Sequence, residues 1–430
     1  MITEMDANRF ATHSLKDPRI LRILAAALEA VDPFKAVQHY LPDITGDVYG
    51  LGIGKAAIPM MDALAGRIQL SGGLAVTKFA SGLSRELFTV IEGAHPIPDP
   101  RSLIAGERVL EFVTSLSESD TLVCLISGGG SALVTAPYEG ITLDDMQSLT
   151  RALLSCGARI DEINTLRRKL DRIKGGGLAR ATNARIISLI LSDVIGNPLE
   201  AIASGPTAPD PTTGEDAIEI IKKYGIEKQI PDSIMNNLLS VPFSALAAGD
   251  GGRSITERVQ NIIIGDNRLA ALAAMEQAHR EGFHSEILTN ELQGEAREIG
   301  VELSQRLRVD SSVITRPFCL IAGGETTVTI KGNGKGGRNQ ELALAAINEL
   351  ADVKDVMLIA LATDGDDGPT DAAGAVVTGD SARRAESLGL SVADHLSRND
   401  AYPFFEVLGD LIRTGPSGTN VNDVVFLIAT

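Results

Sequence analysis

Residues 48–79 have the sequence VYGLGIGKAAIPMMDALAGRIQLSGGLAVTKF. The pattern predicts a strand over residues 48–53, a helix over 55–68 and a second strand over 73–79. Apolar strands of Val, Ile and Leu that are separated by helices are typical of a parallel sheet with helices on both faces. The stretch therefore predicts an α/β fold built on a doubly wound parallel sheet.

The alternation of strands and helices continues along the chain. Further strands are predicted over residues 87–91, 121–126, 185–191, 261–264, 284–289, 318–322, 327–330, 357–362 and 424–429. Further helices are predicted over residues 18–31, 143–156, 161–173, 268–281 and 339–351. Residues 240–253 are rich in Ser, Ala, Gly and Pro, which is typical of a linker. We therefore expect two domains, residues 1–245 and residues 246–430, each with its own core.

The composition excludes several classes of function. The chain has 430 residues, a net charge of −17, 4% aromatic residues and no Trp. An acidic surface disfavours nucleic acid and anionic membranes, and few aromatic side chains are available to stack on bases. The N-terminus has no apolar signal sequence, and the three cysteines form no disulfide or metal pattern. We therefore expect a cytoplasmic protein that acts on small molecules.

A glycine-rich turn follows the first predicted strand. Residues 52–57, GIGKAA, match the pattern G-x-G-x-x-A and place Lys55 at the start of a helix. A nicotinamide site would also need an acid at the end of the second strand to bind the ribose, but Lys78 stands there. We therefore interpret the turn as an anion site that uses Lys55 and Lys78. The alternative is that Lys55 is only a solvated side chain of the first helical turn.

Three consecutive glycines follow the strand predicted over residues 121–126. Glycine after a buried strand destabilises a fold unless something must approach the backbone closely. We interpret this loop as a phosphate cradle made of backbone N–H groups. Its members are Ser127, Gly128, Gly129, Gly130 and Ser131. The rival interpretation, Ser127 as a hydrolase nucleophile, lacks both the G-x-S-x-G pattern and an obvious histidine partner.

Carboxylates follow two other predicted strands. Asp193 and Asn197 lie in the loop after residues 185–191, where Asp193 can accept a proton, hold a cation or cap a helix. Four aspartates crowd the loop after residues 357–362, at positions 364, 366, 367 and 371. Such carboxylates repel one another unless a cation is present. We therefore expect magnesium shared with phosphate groups, bound by Asp193, Asp364 and Asp367. Asx turns facing solvent are the alternative for the aspartate loop.

Residues 321–341, IAGGETTVTIKGNGKGGRNQE, combine two glycine turns with an acid and three cations. We interpret Gly323, Gly324 and Glu325 as part of the site that binds the nucleotide phosphates, because glycine lets a backbone approach a ligand. Arg338 is predicted to stand at a helix start, where it can bind two oxygens of a carboxylate or phosphate. A hairpin with a flexible tip is the alternative.

These loops together supply glycines for phosphate, cations for a second anion, and carboxylates for magnesium or a proton, as phosphoryl transfer requires. With these motifs the chain resembles the glycerate 2-kinases that carry a C-terminal MOFRL domain. The matching segments are GIGKAA at 52–57, ISGGGSAL at 126–133, LSDVIGNPLEAIASGPTAPD at 191–210, GGETTVTIKGNGKGGRNQELALA at 323–345 and ATDGDDGPTDAAGA at 362–375. They occur in the family's order over nearly the whole chain.

The resemblance implies a Rossmann-like N-terminal domain, a smaller α/β C-terminal domain and an active site in the cleft between them. It implies that ATP phosphorylates D-glycerate to 2-phosphoglycerate with a divalent metal, Mg2+. It places the lysine and arginine that matter in the family at Lys55 and Arg338. We expect Asp193 to join them as a catalytic residue. The residues expected at the substrate are Lys55, Lys78, Asn197 and Arg338.

Two other activities are compatible with parts of the pattern. An NAD(P)H-dependent hydroxypyruvate reductase is the main alternative, although the missing ribose acid argues against it. A nucleotide sensor without catalysis is a third, but it would not need both carboxylate and cation clusters. The sequence also leaves a homodimer open.

Overall fold

The computed structural model describes residues 5–79, 85–240 and 255–430. Its internal contacts define two compact units: the chain between residues 36 and 264, and the chain up to residue 35 together with residues 265–430. The strands are β1 (Val48–Ile53), β2 (Gly72–Thr77), β3 (Thr89–Glu92), β4 (Thr121–Ile126), β5 (Arg185–Leu191), β6 (Val259–Gly265), β7 (His284–Leu292), β8 (Phe318–Gly324), β9 (Val356–Ala362), β10 (Gly374–Thr378), β11 (Leu411–Ile412) and β12 (Asp423–Ala429).

The α-helices of the described chain lie on and between these strands. They run over Pro18–Glu29, Pro33–Tyr40, Ala57–Arg67, Pro100–Thr114, Gly130–Leu133, Leu143–Ser155, Ile160–Lys169, Gly177–Arg180, Gly214–Lys223, Asp232–Ser240, Ile255–Arg258, Asn267–Arg280, Ala296–Val313, Arg338–Leu350, Ser381–Ser387, Val392–Arg398 and Ala401–Leu408. No helix of the residues described is long and apolar enough to cross a membrane.

The first unit contains the predicted parallel sheet. Its strand order is β3-β2-β1-β4-β5-β6, and the β2–β3, β1–β2, β1–β4 and β4–β5 pairs are parallel. Every residue of β4 is buried, and so is every residue of β5 after Arg185. These apolar strands pack with helix Pro100–Thr114 in one core. The expected α/β fold with a parallel sheet is therefore confirmed.

A buried carboxylate ends one helix of this unit earlier than its sequence pattern predicts. Helix Ile160–Lys169 stops four residues short of the predicted end at 173. Just beyond it, both oxygens of Asp171 accept bonds, among them one from the Ala136 N–H at 3.0 Å and one from Lys174 Nζ at 2.6 Å. Asp171 has no exposed surface. The tertiary partners of Asp171 therefore compete successfully with continued helix.

The second unit has a mixed sheet with the order β11-β10-β9-β12-β8-β7. Only β7 and β8 are parallel among its described pairs; the other four pairs are antiparallel. The strand predicted over residues 327–330 is not formed, because only Thr327 makes an isolated bridge, to Glu295. Ile330 is 79% exposed, so this β-branched run has no buried face to hold it in a sheet. Strands β10 and β11 were not predicted.

The two units divide the chain differently from the expected domains. The boundary predicted between residues 245 and 246 lies outside the described residues. Helix Pro18–Glu29 packs on helix Asn267–Arg280 and belongs to the second unit, whereas the sequence assigns it to the first domain. Strand β6 is hydrogen-bonded beside β5 and extends the first sheet, whereas the sequence assigns it to the second domain. Both differences arise from long-range packing, which sequence position does not show.

Candidate active site

Five loops of the first unit follow parallel strands and therefore meet at one edge of the sheet. Lys55 follows β1, Lys78 follows β2, and His95 lies three residues after β3. The loop at residues 127–130 follows β4, and Asp193 lies two residues after β5. The strand order reverses between β1 and β4, which is the position where ligands bind in open α/β sheets. The predicted residues Lys55, Lys78 and Asp193 are thus brought to the same edge.

Ser127 holds the β1 and β4 loops together. Its hydroxyl accepts a bond from the Ala56 N–H at 3.0 Å, and its own N–H donates to the Ile53 carbonyl at 2.9 Å. The Lys55 N–H donates to the Gly128 carbonyl at 3.0 Å. Gly54 has φ +130°, and a Cβ there would lie 2.2 Å from Ser127 Oγ. Ser127 is therefore a buried structural link, and its N–H is not available to a phosphate.

The next four backbone N–H groups differ from that of Ser127 because they have no acceptor. No acceptor within the described residues bonds the N–H groups of Gly128, Gly129, Gly130 or Ser131. Gly129 is left-handed, with φ +84°. Unpaired donors of this kind are rare where the backbone is buried, and a bound anion satisfies them. The predicted cradle is therefore present in geometry, but it begins at Gly128 rather than at Ser127.

Asp193 and His95 flank these donors. A Cβ on Gly128 would lie 2.1 Å from Asp193 Oδ2, so the carboxylate rests directly against the glycine. A Cβ on Gly129 would lie 3.0 Å from His95 Cδ2 and 3.4 Å from Lys55 Cγ. Asp193 does not start a helix, so the alternative of a helix cap is excluded. Asn197 lies in the same loop, half-buried, with φ 54°.

His95 was not among the residues predicted for the site. Burial lowers its pKa below the usual value, and the positive charges of Lys55 and Lys78 lower it further. Both effects favour the neutral imidazole. The sequence did contain a usable signal, since His95 follows a predicted strand as the other candidate residues do.

A strained turn supports the far side of the glycine loop. Ala203, Ser204 and Gly205 have successive φ values of 50°, 60° and 61°. Consecutive left-handed residues other than glycine cost on the order of 1–3 kcal/mol each and persist mainly at functional sites. A Cβ on Gly130 would lie 2.9 Å from Ala203 Cβ, and the hydroxyls of Ser131 and Ser204 are 2.8 Å apart. The turn thus fixes the position of the loop.

The second unit has its own polar cluster around the start of helix Arg338–Leu350. Arg338 donates from Nε to Asp423 at 2.5 Å and from Nη1 to Glu325 at 2.5 Å. Burial alone would lower the pKa of Arg338, but the carboxylates of Asp423 and Glu325 outweigh it and raise the pKa. Its guanidinium, with 31% of the side chain exposed, is held rigidly by these two acids.

Asp367 caps the same helix from a neighbouring loop. Its carboxylate accepts the N–H groups of Asn339 at 3.1 Å and Gln340 at 2.8 Å. Burial raises its pKa to about 7, and the nearby charge of Asp423 adds to the effect. Since Asp367 is only 2% exposed and both oxygens are engaged, it is built as a helix cap. Asp364 is half-buried in the same loop, and its Oδ1 accepts the Asp366 N–H at 3.2 Å.

Most glycines of the 321–341 stretch serve packing within the unit. A Cβ on Gly332 or Gly334 would lie 2.4 Å or 2.6 Å from the Arg398 carbonyl oxygen. A Cβ on Gly323 would lie 1.7 Å from Asn267 Oδ1, and one on Gly324 would meet the Leu292 backbone at 2.2 Å. Close approach is therefore required, as predicted, but the approaching group is the protein's own chain.

The described residues contain no group of three or more His, Cys, Asp or Glu side chains placed to hold a metal ion. A magnesium ion that is bound mainly through phosphate oxygens and water needs only one or two protein carboxylates. Asp193 fits that role because it lies beside the unpaired N–H groups. Asp367 does not fit it, because helix donors occupy both of its oxygens.

Comparison with known proteins identifies the family. Residues 318–423 match the MOFRL family, and residues 19–239 match a domain of unknown function, DUF4147. A glycerate 2-kinase from Pyrococcus horikoshii is 39% identical over 95% of this chain and 96% of its own. The chain belongs to the glycerate kinase family. A D-glycerate 2-kinase from Thermotoga maritima is 40% identical over 97% of this chain and 99% of its own.

The glycerate kinase fold is shared as well. A crystal structure of glycerate kinase from Thermotoga maritima has a TM-score of 0.88 and 40% identity, and the match covers 95% of this chain and 98% of that one. The two polar clusters of this glycerate kinase lie in different family matches. Lys55, His95 and Asp193 lie in the DUF4147 match, whereas Arg338 and Asp367 lie in the MOFRL match.

Proposed function

We propose that the protein phosphorylates D-glycerate at the 2-hydroxyl with ATP, giving 2-phosphoglycerate and ADP. The observation that carries the proposal is the row of unpaired N–H groups from Gly128 to Ser131, which Lys55 and Asp193 flank at the carboxyl edge of the sheet. Donors for phosphate, a cation and a carboxylate are the groups that phosphoryl transfer uses. The names of the relatives supply the substrate and the position of transfer.

Each group has a role in the proposed reaction. The N–H groups of residues 128–131 bind phosphate oxygens, and Lys55 offsets the charge that develops on the transferred group. Asp193 orients the glycerate hydroxyl and accepts its proton. Asp193 would hold magnesium, whose positive charge would offset that of the phosphates, and Asp364 is proposed as its other protein ligand. Asp367 is left out of this set because it caps a helix.

The remaining predicted residues complete the proposal. Lys78 and Asn197 lie in loops at the same edge as Lys55 and are proposed to contact glycerate oxygens. Arg338 is proposed as a second cation for the reaction, held in one orientation by Asp423 and Glu325. Glu325 and the glycines at 323 and 324 then act by shaping the surroundings of Arg338.

One experiment tests both the reaction and its position. Purified protein is incubated with ATP, magnesium and D-glycerate, and the product is examined by phosphorus NMR without proton decoupling. Phosphate on C2 couples to one proton and gives a doublet, whereas phosphate on C3 couples to two and gives a triplet. ADP release with a doublet supports the proposal. A triplet would assign the other hydroxyl.

A parallel assay addresses the reductase alternative. The end of β2 carries Lys78 where a ribose-binding acid would be needed, so NAD(P)H oxidation with hydroxypyruvate is expected to stay at background. Lys55→Met is expected to lower kinase turnover by about 100- to 1,000-fold, as for loss of one charge-stabilising group. Hydroxypyruvate-dependent oxidation of NAD(P)H without ADP formation from glycerate would replace the kinase proposal by the reductase.

A further inference from the structure

Arg167 stands out among the cations of the first unit. It lies in the last turn of helix Ile160–Lys169, and its side chain is half-buried. Within the described residues its guanidinium makes no hydrogen bond and no ion pair. Burial lowers its pKa, and no nearby carboxylate offsets that effect. A guanidinium in this state loses hydration without gaining a partner, which is unfavourable in the absence of an anion.

The neighbouring cations are all paired. Arg168 Nε donates to Asp210 at 2.9 Å, and Lys169 Nζ lies 2.7 Å from the other oxygen of the same carboxylate. Lys174 Nζ lies 2.6 Å from Asp171. Three cations therefore share two carboxylates in this region, and Arg167 is the fourth cation, without a carboxylate. The charge of Arg167 also acts on Lys174 and lowers its pKa, although burial contributes more.

The packing connects Arg167 with the glycine loop. Helix Ile160–Lys169 packs on the turn Ile202–Ser204, and that turn packs on helix Gly130–Leu133. Lys174 Nζ donates to the Val134 carbonyl at 3.0 Å, directly after the same short helix. The helix that carries Arg167 therefore packs on the strained turn that supports the glycine loop. An anionic substrate group bound beside this turn would satisfy the guanidinium.

We infer that Arg167 binds the carboxylate of the acceptor substrate and so selects a 2-hydroxy acid over a simple alcohol. A guanidinium fork matches the two oxygens of a carboxylate. The loop N–H groups provide donors for phosphate, and the carboxylate of the acceptor is the second anion of the reaction, to which Arg167 would add a fork beside the proposed contacts of Lys78 and Asn197. This assignment rests on the proposed glycerate kinase activity.

The test compares substitutions at Arg167 with substitutions at two other arginines. Arg167→Gln removes the charge and the fork, and Arg167→Lys keeps only the charge. Both are expected to raise the KM for glycerate, Arg167→Gln by about 30-fold or more and Arg167→Lys by less, with the KM for ATP changed less than threefold. Arg151→Gln, at an exposed position, serves as a neutral control. Arg168→Gln breaks the buried pair with Asp210 and is expected to lower the melting temperature instead.

A second substrate, glycerol, distinguishes a loss of carboxylate recognition from a general loss of activity. Glycerol lacks the carboxylate, so the rate at which the wild type phosphorylates glycerol, whatever its size, is expected to be unchanged in Arg167→Gln, and the preference for glycerate over glycerol falls by the same factor of about 30. An equal loss with both substrates would overturn the inference. A rise confined to the KM for ATP would also overturn it and assign Arg167 to the nucleotide.

Two measurements distinguish a failure of the assignment of Arg167 from a failure of the proposed glycerate kinase activity. Glycerate binding can be measured without turnover, by calorimetry with wild type and Arg167→Gln in the presence of ADP. If the wild type does not phosphorylate glycerate, the proposed function fails. If the wild type does so while Arg167→Gln binds and uses glycerate equally well, the inference alone is overturned.

Discussion

Arg338 and Asp423 form a two-point ion pair in the second unit. Arg338 Nε lies 2.5 Å from Asp423 Oδ2, and Arg338 Nη2 lies 3.1 Å from Asp423 Oδ1. Asp423 is 5% exposed, so its charge depends on this guanidinium. Burial still raises the pKa of Asp423 to about 6, although Arg338 opposes the effect. The arginine predicted from sequence to bind substrate is therefore also a counterion for a buried acid.

Arg338→Met is expected to lower stability as well as activity. Removing one partner of a buried pair leaves the other charge uncompensated and costs about 3–5 kcal/mol. The double variant Arg338→Met with Asp423→Asn should recover part of this loss in chemical unfolding experiments. Glu325→Gln is the control, because Glu325 is 44% exposed and a surface pair contributes about 1 kcal/mol or less. Equal stability of Arg338→Met and Glu325→Gln would contradict the role of Arg338 as counterion.

Asp367 makes stability depend on pH in a direction opposite to that of an ordinary carboxylate. Burial raises its pKa to about 7 in the folded protein, above the usual value of 3.8. The folded state therefore holds a proton that the unfolded state has lost between these values, and the stabilisation from this group falls as pH rises from about 4 to about 7. Each unit of the difference corresponds to about 1.4 kcal/mol.

Asp367→Asn removes this titration. The variant loses an acceptor for the helix N–H groups, so it should be less stable than the wild type at pH 5. The difference in melting temperature should shrink as pH rises to 8, because only the wild type then carries a buried charge. Asp380→Asn, at an exposed position, should show no such trend. A constant difference across this range would mean that Asp367 does not titrate as described.

A comparison of Gly129→Ala with Gly140→Ala distinguishes the cost of backbone strain from an effect on the candidate site. Gly129 and Gly140 both have φ +84°, but a Cβ on Gly140 meets nothing within 4 Å, whereas one on Gly129 meets His95. Alanine in the left-handed region costs about 1–2 kcal/mol at either position. Both variants should therefore melt lower by similar amounts, and only Gly129→Ala should lose ATP affinity and turnover. Wild-type kinetics in Gly129→Ala would remove this loop from the site.

Asp193 and Gly128 should behave as a coupled pair. Asp193→Asn keeps the shape and removes the proton acceptor, so turnover should fall by about 100-fold or more with little change in substrate affinity. Gly128→Ala forces the carboxylate away, since the added Cβ would lie 2.1 Å from Oδ2. In the Asp193→Asn background, Gly128→Ala should cost much less than in the wild type. Additive losses would show that the two residues act independently.

His95 should titrate below its usual range. Burial and the charges of Lys55 and Lys78 lower its pKa. Removing one of these positive charges in Lys55→Met favours the protonated imidazole, so the pKa of His95 should rise. Proton NMR of the histidine rings across pH measures this directly, with His95→Gln to assign the signal. An unchanged pKa in Lys55→Met would mean that the two side chains are farther apart than the contacts around Gly129 indicate.

Several parts of the site could be predicted from local sequence. Lys55, the glycine loop and Asp193 each follow an apolar strand, and parallel strands carry their C-terminal loops to one edge. His95 obeys the same rule and was accessible to it. The lack of a partner for Arg167 could not be predicted, because nothing in the local sequence shows which of Arg167, Arg168 and Lys169 is unpaired.

The glycines show what cannot be predicted from local sequence. A glycine that must allow close approach looks the same in sequence whether a ligand or the protein's own backbone approaches. At Gly332 and Gly334 the neighbour is the Arg398 carbonyl, whereas at Gly128 and Gly129 it is a set of polar side chains at the edge of the sheet. The same ambiguity affected Asp367, whose carboxylate caps a helix from a distant part of the chain.

The sequence by itself determined the α/β class, the parallel first sheet and the strand ends at which the polar loops lie. These properties follow from the period and composition of short segments, which act locally. Only the tertiary structure decided the mixed topology of the second sheet, the placement of the N-terminal helix in the second unit, the partners of Arg338 and Asp367, and the lack of a partner for the Arg167 guanidinium among the described residues. Those outcomes depend on contacts between residues far apart in sequence, where burial and charge pairing between whole segments outweigh local preference.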